Sequence, residues 1–272
     1  MLLAIDIDNR TTDFAVFSQD DLIDKFSITT DKNRSVVEIK LTIKLILMDK
    51  NIELSDINEI IISNVVPELS SSYEMISREL IGKKPIFISA GVKTGLNIKC
   101  ESPREVGSDR IIKAVAATRI YTGNIIIVSA SSITTVDYIN AKKEFLGGLI
   151  LPGINLLQDS LVRGSAKLPH VEIKRPDDVI GKNTEKAIQR GLYFGYKKAV
   201  LGIIDEIVES YSLTKENTNI LITGPYGHLL KLCKYELIRD DDLGIYGLKI
   251  IYDLNKNKAS WFMKPFFLPI FF

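Results

Sequence analysis

Short apolar runs separated by polar turns open the chain. Residues 2–7 (LLAIDI), 13–18 (DFAVFS) and 22–28 (LIDKFSI) predict three strands in succession. Residues 35–49 then crowd Val36, Val37, Ile39, Leu41, Ile43, Ile46 and Leu47 together, a density that predicts a largely buried helix. Residues 59–66 (EIIISNVV) and 85–89 (PIFIS) predict two more strands, with a helix over 70–80 between them. A further helical run covers 111–118. Strands and helices in this alternation predict a mixed sheet flanked by helices.

The second half repeats the order. Residues 124–129 (NIIIVS), 135–139 (TVDYI) and 144–151 (EFLGGLIL) predict three strands with short turns. A long helix is predicted from about Thr184 to Tyr211, and 219–223 (NILIT) predicts a buried strand running into Gly224. Asp6 stands five residues before Thr11-Thr12, and Ser129 five before Thr134-Thr135, each pair set among three strands. Two α/β lobes of common ancestry are expected, over residues 1–115 and 116–257. A short tail follows, residues 258–272, holding five of the eleven Phe and the only Trp. Two prolines oppose a regular helix there, and packing on a partner copy is its expected role.

A tight turn between antiparallel strands offers N–H groups and hydroxyls to an anion. Two such turns facing each other would grip a nucleoside triphosphate from both sides, so the site is expected in a cleft between the lobes. Asp6, at a strand end, suits a magnesium ion, held directly or through water, or else caps its own turn. Residues 103–110 (PREVGSDR) lead into the helix over 111–118. Asp109 there is either an N-terminal residue favoured by the helix dipole, or a general base kept ionised by Arg110. Asn183 or Thr184 caps the long helix.

Charge and composition narrow the classes. With 35 basic and 34 acidic residues, the chain lacks the clustered positive charge that nucleic-acid binding requires. Cys100 and Cys233 are too few for a disulfide framework or a zinc cage and fit a reducing cytoplasm. His170 and His228 lack metal-ligand spacing and read as surface residues. No run approaches the ~20 apolar residues of a membrane span, and no secretory signal is expected.

Asp6–Thr12, Pro103–Arg110, Gly147–Gly153, Gly181–Thr184 and Gly224 fall in the order, and near the spacing, of the type III pantothenate kinases. Linking stretches at 93–98, 166–169 and 247–255 match too, so the chain resembles that family from residue 1 to about 255. The resemblance implies a duplicated actin- and hexokinase-like (ribonuclease H-like) fold and a cytoplasmic homodimer. It implies transfer of the ATP γ-phosphate to pantothenate, the first step of coenzyme A synthesis. Asp6, Ile7, Asp8, Asn9, Arg10, Thr11, Thr12 and Asp13 would form the ATP loop, with Ser132 also meeting ATP. Asp109 would be the base on the pantothenate hydroxyl. Cys100, Gly107, Ser108, Asp109, Arg110 and Thr184 would line the substrate. Magnesium would accompany ATP at Asp6, and a potassium or ammonium ion would sit at the position of Ser129.

Several positions depart from the family pattern. Ser129 stands where the pattern has Asp, removing the cation's carboxylate. Asp8 replaces Gly and Arg10 replaces Thr in the first loop, Cys100 replaces a substrate-facing Tyr, and Pro225 replaces the second Gly of a turn. Asp8 adds a negative charge near the triphosphate, and Arg10 offsets it by pairing or by reaching a phosphate. The departures predict ATP turnover below the ~1–100 s⁻¹ of an ordinary kinase. They leave open an alternative, an impaired homologue that binds a ligand or regulates a partner.

Overall fold

The computed structural model describes residues 1–231 and 233–256 and the backbone of 270–271. Two compact units form among the described residues, one from Met1–Leu96, Glu101–Ile120 and 242–256, the other from Asn97–Cys100, Tyr121–Asp241 and the backbone of 270–271. This division differs from the contiguous halves expected at 115/116. A helix runs unbroken through that point to Ile120, and the closing helix returns to the first unit. Apart from the backbone of 270–271, the apolar tail lies outside the described residues.

In the first unit, β1 (Leu2–Ile7), β2 (Thr11–Ser18) and β3 (Asp21–Thr29) form an antiparallel meander. Helix α1 (Val36–Asp49) leads to β4 (Glu59–Asn64), which joins β1 in parallel, and α2 (Ser70–Ile81) leads to β5 (Ile86–Phe87). The sheet order is β3-β2-β1-β4-β5. Ser35 starts α1 with a capping box, its hydroxyl accepting from the Glu38 N–H while the Glu38 carboxylate accepts from the Ser35 N–H. The expectation of a largely buried α1 is corrected here. Only Ile39, Ile43 and Leu47, four apart on one face, are buried, while Val37, Leu41, Leu45 and Met48 are at least half exposed. Each buried side chain contributes ~1.5–3 kcal/mol, packed on Leu3, Ile5, Ile7, Phe14 and Val16 of the sheet.

The opposite face of the first sheet is covered by α3 (Ser108–Ile120) and the closing helix, called α6 below (Leu243–Asn255). Sequence periodicity did not predict α6, because Gly244 and Gly247 depress its helix propensity. The structure shows why they are there. A Cβ on Gly247 would overlap the Ile112 carbonyl of α3, and one on Gly244 would lie 2.9 Å from Oδ2 of Asp6. Bare backbone is what lets α6 close on α3 and β1.

The second unit repeats the plan. After β6 (Asn97–Ile98) and α3 come β7 (Asn124–Ala130), β8 (Ile133–Ile139) and β9 (Glu144–Pro152), again an antiparallel meander. Helices α4 (Ile154–Arg163) and α5 (Thr184–Ser210) follow, then β10 (Thr218–Thr223) parallel to β7, β11 (Leu237–Arg239), α6 and the two-residue strand β12 (Ile270–Phe271). The order β11-β10-β7-β8-β9 reproduces that of the first sheet, with β12 and β6 added at the two edges. Asn183 caps α5, accepting a 2.8 Å hydrogen bond from the Lys186 N–H. Leu192, Tyr196, Val200 and Ile204 of α5 pack on Ile126, Val128, Val136 and Tyr138.

Candidate active site

Register decides what the first hairpin presents. Asp6 lies opposite Asp13, and Ile7 opposite Thr12. Directly opposed residues share a sheet face. Asp6 and Asp13 therefore face α3 and α6. Thr12 points the other way, buried beside Ile7, and its hydroxyl shares a 2.8 Å hydrogen bond with that of Thr30. The connecting loop is Asp8–Arg10, closed by a 2.9 Å bond from the Asp8 N–H to the Thr11 carbonyl. The Asp8 carboxylate accepts from the Asn9 N–H at 2.7 Å and from its Nδ2 at 3.3 Å, so it organises the turn it occupies. Arg10 and Thr11 are exposed at the loop.

The matching hairpin of the second unit has a two-residue loop, Ser131-Ser132. Ala130 lies opposite Thr134, and Ser129 opposite Thr135. Thr134 is thus the counterpart of Thr12, and Thr135 that of Asp13. The two Thr-Thr pairs are out of step by one residue, which in a strand exchanges the faces. Thr134, like Thr12, is turned inward and shares a 2.8 Å bond with the Tyr196 hydroxyl. The Ser129 and Ser132 hydroxyls are buried with no hydrogen-bond partner, Ser129 on the sheet face opposite to that of Thr134. Gly153 closes on this loop, its N–H donating to the Ser132 carbonyl at 2.9 Å.

Gly224 (φ +93°) closes from the other side, where a Cβ would stand 2.7 Å from the Ala130 carbonyl. Pro225 follows as the second residue of a β-turn bonded from the Gly227 N–H to the Gly224 carbonyl at 3.1 Å, a position whose φ suits proline. His170 and His228 are both exposed, as the sequence predicts.

Gly107, Ser108, Asp109 and Arg110 lie in the first unit. The Ser108 hydroxyl anchors the start of α3 to β4, accepting from Ser63 Oγ at 3.0 Å and the Asn64 N–H at 3.2 Å. Asp109 follows it. Its Oδ2 lies 3.4 Å from Nζ of Lys113 one turn on, and a Cβ on Gly107 would come within 2.7 Å of its Oδ1. Sequence reading assigned the cation beside Asp109 to Arg110 and passed over Lys113. The i,i+4 spacing of opposite charges on a helix was the available signal.

Asp6 is the most perturbed carboxylate. Burial pushes its pKa up to about 7; Asp109 and Asp8 push the same way, against Lys113 and the Ser63 hydroxyl. Its Oδ1 is buried with no partner. Burial also raises Asp13, which accepts from Ser27. Among the described residues no group of three or more His, Cys, Asp or Glu is arranged to hold a metal. A magnesium ion carried on polyphosphate needs only one or two carboxylates beside phosphate and water oxygens, and the orphaned Asp6 Oδ1 fits that requirement. Ser129 offers one neutral oxygen and not the carboxylate expected for a monovalent cation.

A raised carboxyl pKa gives stability that is full below the unfolded value near 3.8 and is lost as pH rises through about 7. Asp6→Asn removes that loss. In nucleotide-free protein the variant should be more stable than wild type at pH 8, by on the order of 3 kcal/mol. The two should converge toward pH 4. Thermal melts showing a constant difference across this range would contradict the assignment.

Comparison with known proteins bears on what these groups do. The sequence profile of the type III pantothenate kinases matches residues 2–206. This chain belongs to that family. A relative described as a type III pantothenate kinase from Finegoldia magna is 41% identical over 258 residues, spanning 94% of this chain and 98% of its own. One from a Geobacillus species is 39% identical over 261 residues, spanning 96% and 100%. Among solved structures, a Campylobacter jejuni protein provisionally described as a Baf family transcriptional activator superposes with a TM-score of 0.58 at 21% identity, covering 94% of this chain and 99% of that one. A Sinorhizobium meliloti protein provisionally described as a 2-dehydro-3-deoxygalactonokinase gives 0.56 at 9% identity, covering 93% and 99%. These likenesses establish the duplicated actin- and hexokinase-like fold.

The structure sorts the residues that family resemblance nominates. Asp6, Asp8, Asp13, Gly107, Ser108, Asp109 and Arg110 lie in the first unit, and Asp6, Asp8, Asp13 and Asp109 act on one another or on Lys113 electrostatically. Ser129, Ser132, Cys100 and Thr184 lie in the second. Cys100 Sγ is 3.6 Å from where a Gly147 Cβ would be. Thr184 borders a groove of about 1080 Å³ beside α5.

Proposed function

We propose that this chain transfers the γ-phosphate of ATP to pantothenate, giving 4'-phosphopantothenate in the first step of coenzyme A synthesis. Family membership across the chain supports the reaction, and the carboxylates of the first unit support the chemistry. One observation carries the reading: Asp6 Oδ1 is buried, unpartnered and beside Asp109 electrostatically. An unpaired buried carboxylate oxygen is costly unless a ligand completes it.

Asp109 accepts the proton of the pantothenate hydroxyl as that oxygen forms its bond to the γ-phosphorus. The bond from the γ-phosphorus to the bridging oxygen breaks in line, and ADP leaves with the electron pair. Asp6 would hold magnesium, and the ion would supply neutralisation of the phosphate charge. Asn9, Arg10 and Thr11 offer loop N–H groups and side chains to the phosphates, and the Ser132 hydroxyl meets ATP. Gly107, Ser108, Arg110, Thr184 and Cys100 orient pantothenate. No step is assigned to a monovalent cation, since Ser129 lacks the charge to replace the expected carboxylate. No observation favours the regulatory alternative.

Coupled ADP-release assays with saturating Mg-ATP test the reading. ADP release should depend on pantothenate, at rates below ~1–100 s⁻¹. Release that ignores pantothenate would refute the proposed acceptor.

The chain is further proposed to act as a cytoplasmic homodimer through the groove beside α5. Ala187, Gly191, Gly195 and Ala199 line it four residues apart, and a Cβ on either glycine would meet nothing within 4 Å. Leu157 and Leu161 of α4 border the same groove. Light scattering should give a mass twice the 30.5 kDa of the chain, and Gly195→Glu should halve it. A monomeric wild type would exclude the dimer.

A further inference from the structure

The first hairpin loop carries a charge problem. Asp6 and Asp13 point to one face of the sheet, Asp8 occupies the loop, and Asp109 stands at the start of α3. A polyphosphate brought to this loop adds further negative charge, and like charges in a partly dry site repel strongly. Asp8 sharpens the problem because it stands where the family pattern has an uncharged glycine.

One side chain answers all four carboxylates. Lys113 lies on the face of α3 turned toward the site, its side chain only 15% exposed and its Nζ 3.4 Å from Asp109 Oδ2. It acts electrostatically on Asp6, Asp8 and Asp13 as well. Burial opposes its charge. Asp109, Asp6 and Asp8 together outweigh burial, so its pKa is raised and the ammonium persists. A lysine kept charged in so dry a place is held there by its partners.

We propose that Lys113 is the built-in counter-cation of the ATP loop, a positioning residue that holds Asp109 in place and offsets Asp8 so that a nucleotide polyphosphate can bind. The proposal rests on the kinase reading through its nucleotide arm alone. Lys113 and Asp8 are then a compensating pair: the extra carboxylate is tolerated because the lysine is present.

A double-mutant cycle tests this with Lys113→Met, Asp8→Gly, the double variant and Lys113→Arg as the charge-keeping control. The first readout is the thermal midpoint without nucleotide. Lys113→Met should lower it by about 3 °C or more. Asp8→Gly should raise the midpoint in the Lys113→Met background and leave it unchanged or lower in the wild-type background. The second readout is binding of Mg-ATP by calorimetry. Affinity should fall about tenfold in Lys113→Met, and recover to within about threefold of wild type in both the double variant and Lys113→Arg. An Asp8→Gly shift of the same sign and size in both backgrounds overturns the proposal, because a lysine that merely packs would not couple to Asp8. The thermal cycle needs no turnover. A wild type that fails to phosphorylate pantothenate would therefore refute the kinase reading and leave this test intact.

Discussion

Asp109→Asn should lower kcat by about 10³, with the KM for ATP little changed. The substitution keeps the shape of the side chain and removes its capacity to accept a proton. Asp109 is well placed for that loss to be chemical. Ser108 fixes the start of α3 to β4, Gly107 leaves room for Oδ1, and Lys113 holds Oδ2. A carboxylate so constrained has little freedom to reposition when its charge is lost. General bases contribute ~10²–10⁴ in rate, and the expected loss at Asp109 lies in the middle of that range. Rapid-quench measurement of a single turnover reads the chemical step directly. A variant within about fivefold of wild type would remove Asp109 from the role of base.

Gly247→Ala should destabilise the protein by about 3 kcal/mol or more, lowering the melting midpoint by roughly 6 °C or more. The added Cβ would overlap the backbone carbonyl of Ile112, which cannot swing aside as a flexible side chain can. Either α6 moves off α3, uncovering apolar surface, or α3 moves with Asp109 and Lys113 attached. Both outcomes cost stability, and the second also costs activity. Differential scanning calorimetry distinguishes this from ordinary helix stabilisation by alanine, which would raise the midpoint. An unchanged or raised midpoint would show that the α3–α6 contact can relax.

Those two positions also mark where the sequence was legible. The strands around Asp6 could be read because their apolar residues recur at strand spacing, bounded by polar turns. The duplicated order followed from the same pattern. Helix α6 escaped because local propensity argues against a helix with glycines at 244 and 247, whereas the close approach to Ile112 and Asp6 argues for it, and only the folded structure contains that second term. Helix α1 misled in the opposite direction: its apolar density counts Val37 and Leu41, which the fold leaves outside.

Within the site, spacing alone paired Thr11-Thr12 with Thr134-Thr135. Spacing counts residues, whereas faces are set by register, and one hairpin loop is a residue shorter. Asp109 was nominated from its motif. Lys113 was equally readable, as an opposite charge four residues on, but its weight depends on burial that no local pattern reveals. The same holds for Asp6, whose carboxyl is unusual because of what covers it.

The return of α6 to the first unit has a consequence for how the protein is made. The second unit's main segment, Tyr121–Asp241, leaves the ribosome in one piece, while the first unit waits for a helix encoded some 120 residues after α3 ends. At ~5–20 residues per second, that delay is about 6–24 s, during which the Asp6 face of β1 lacks the cover of α6. A message cut short after β11 would thus keep the main segment of the later-encoded unit and leave the earlier one without its closing helix.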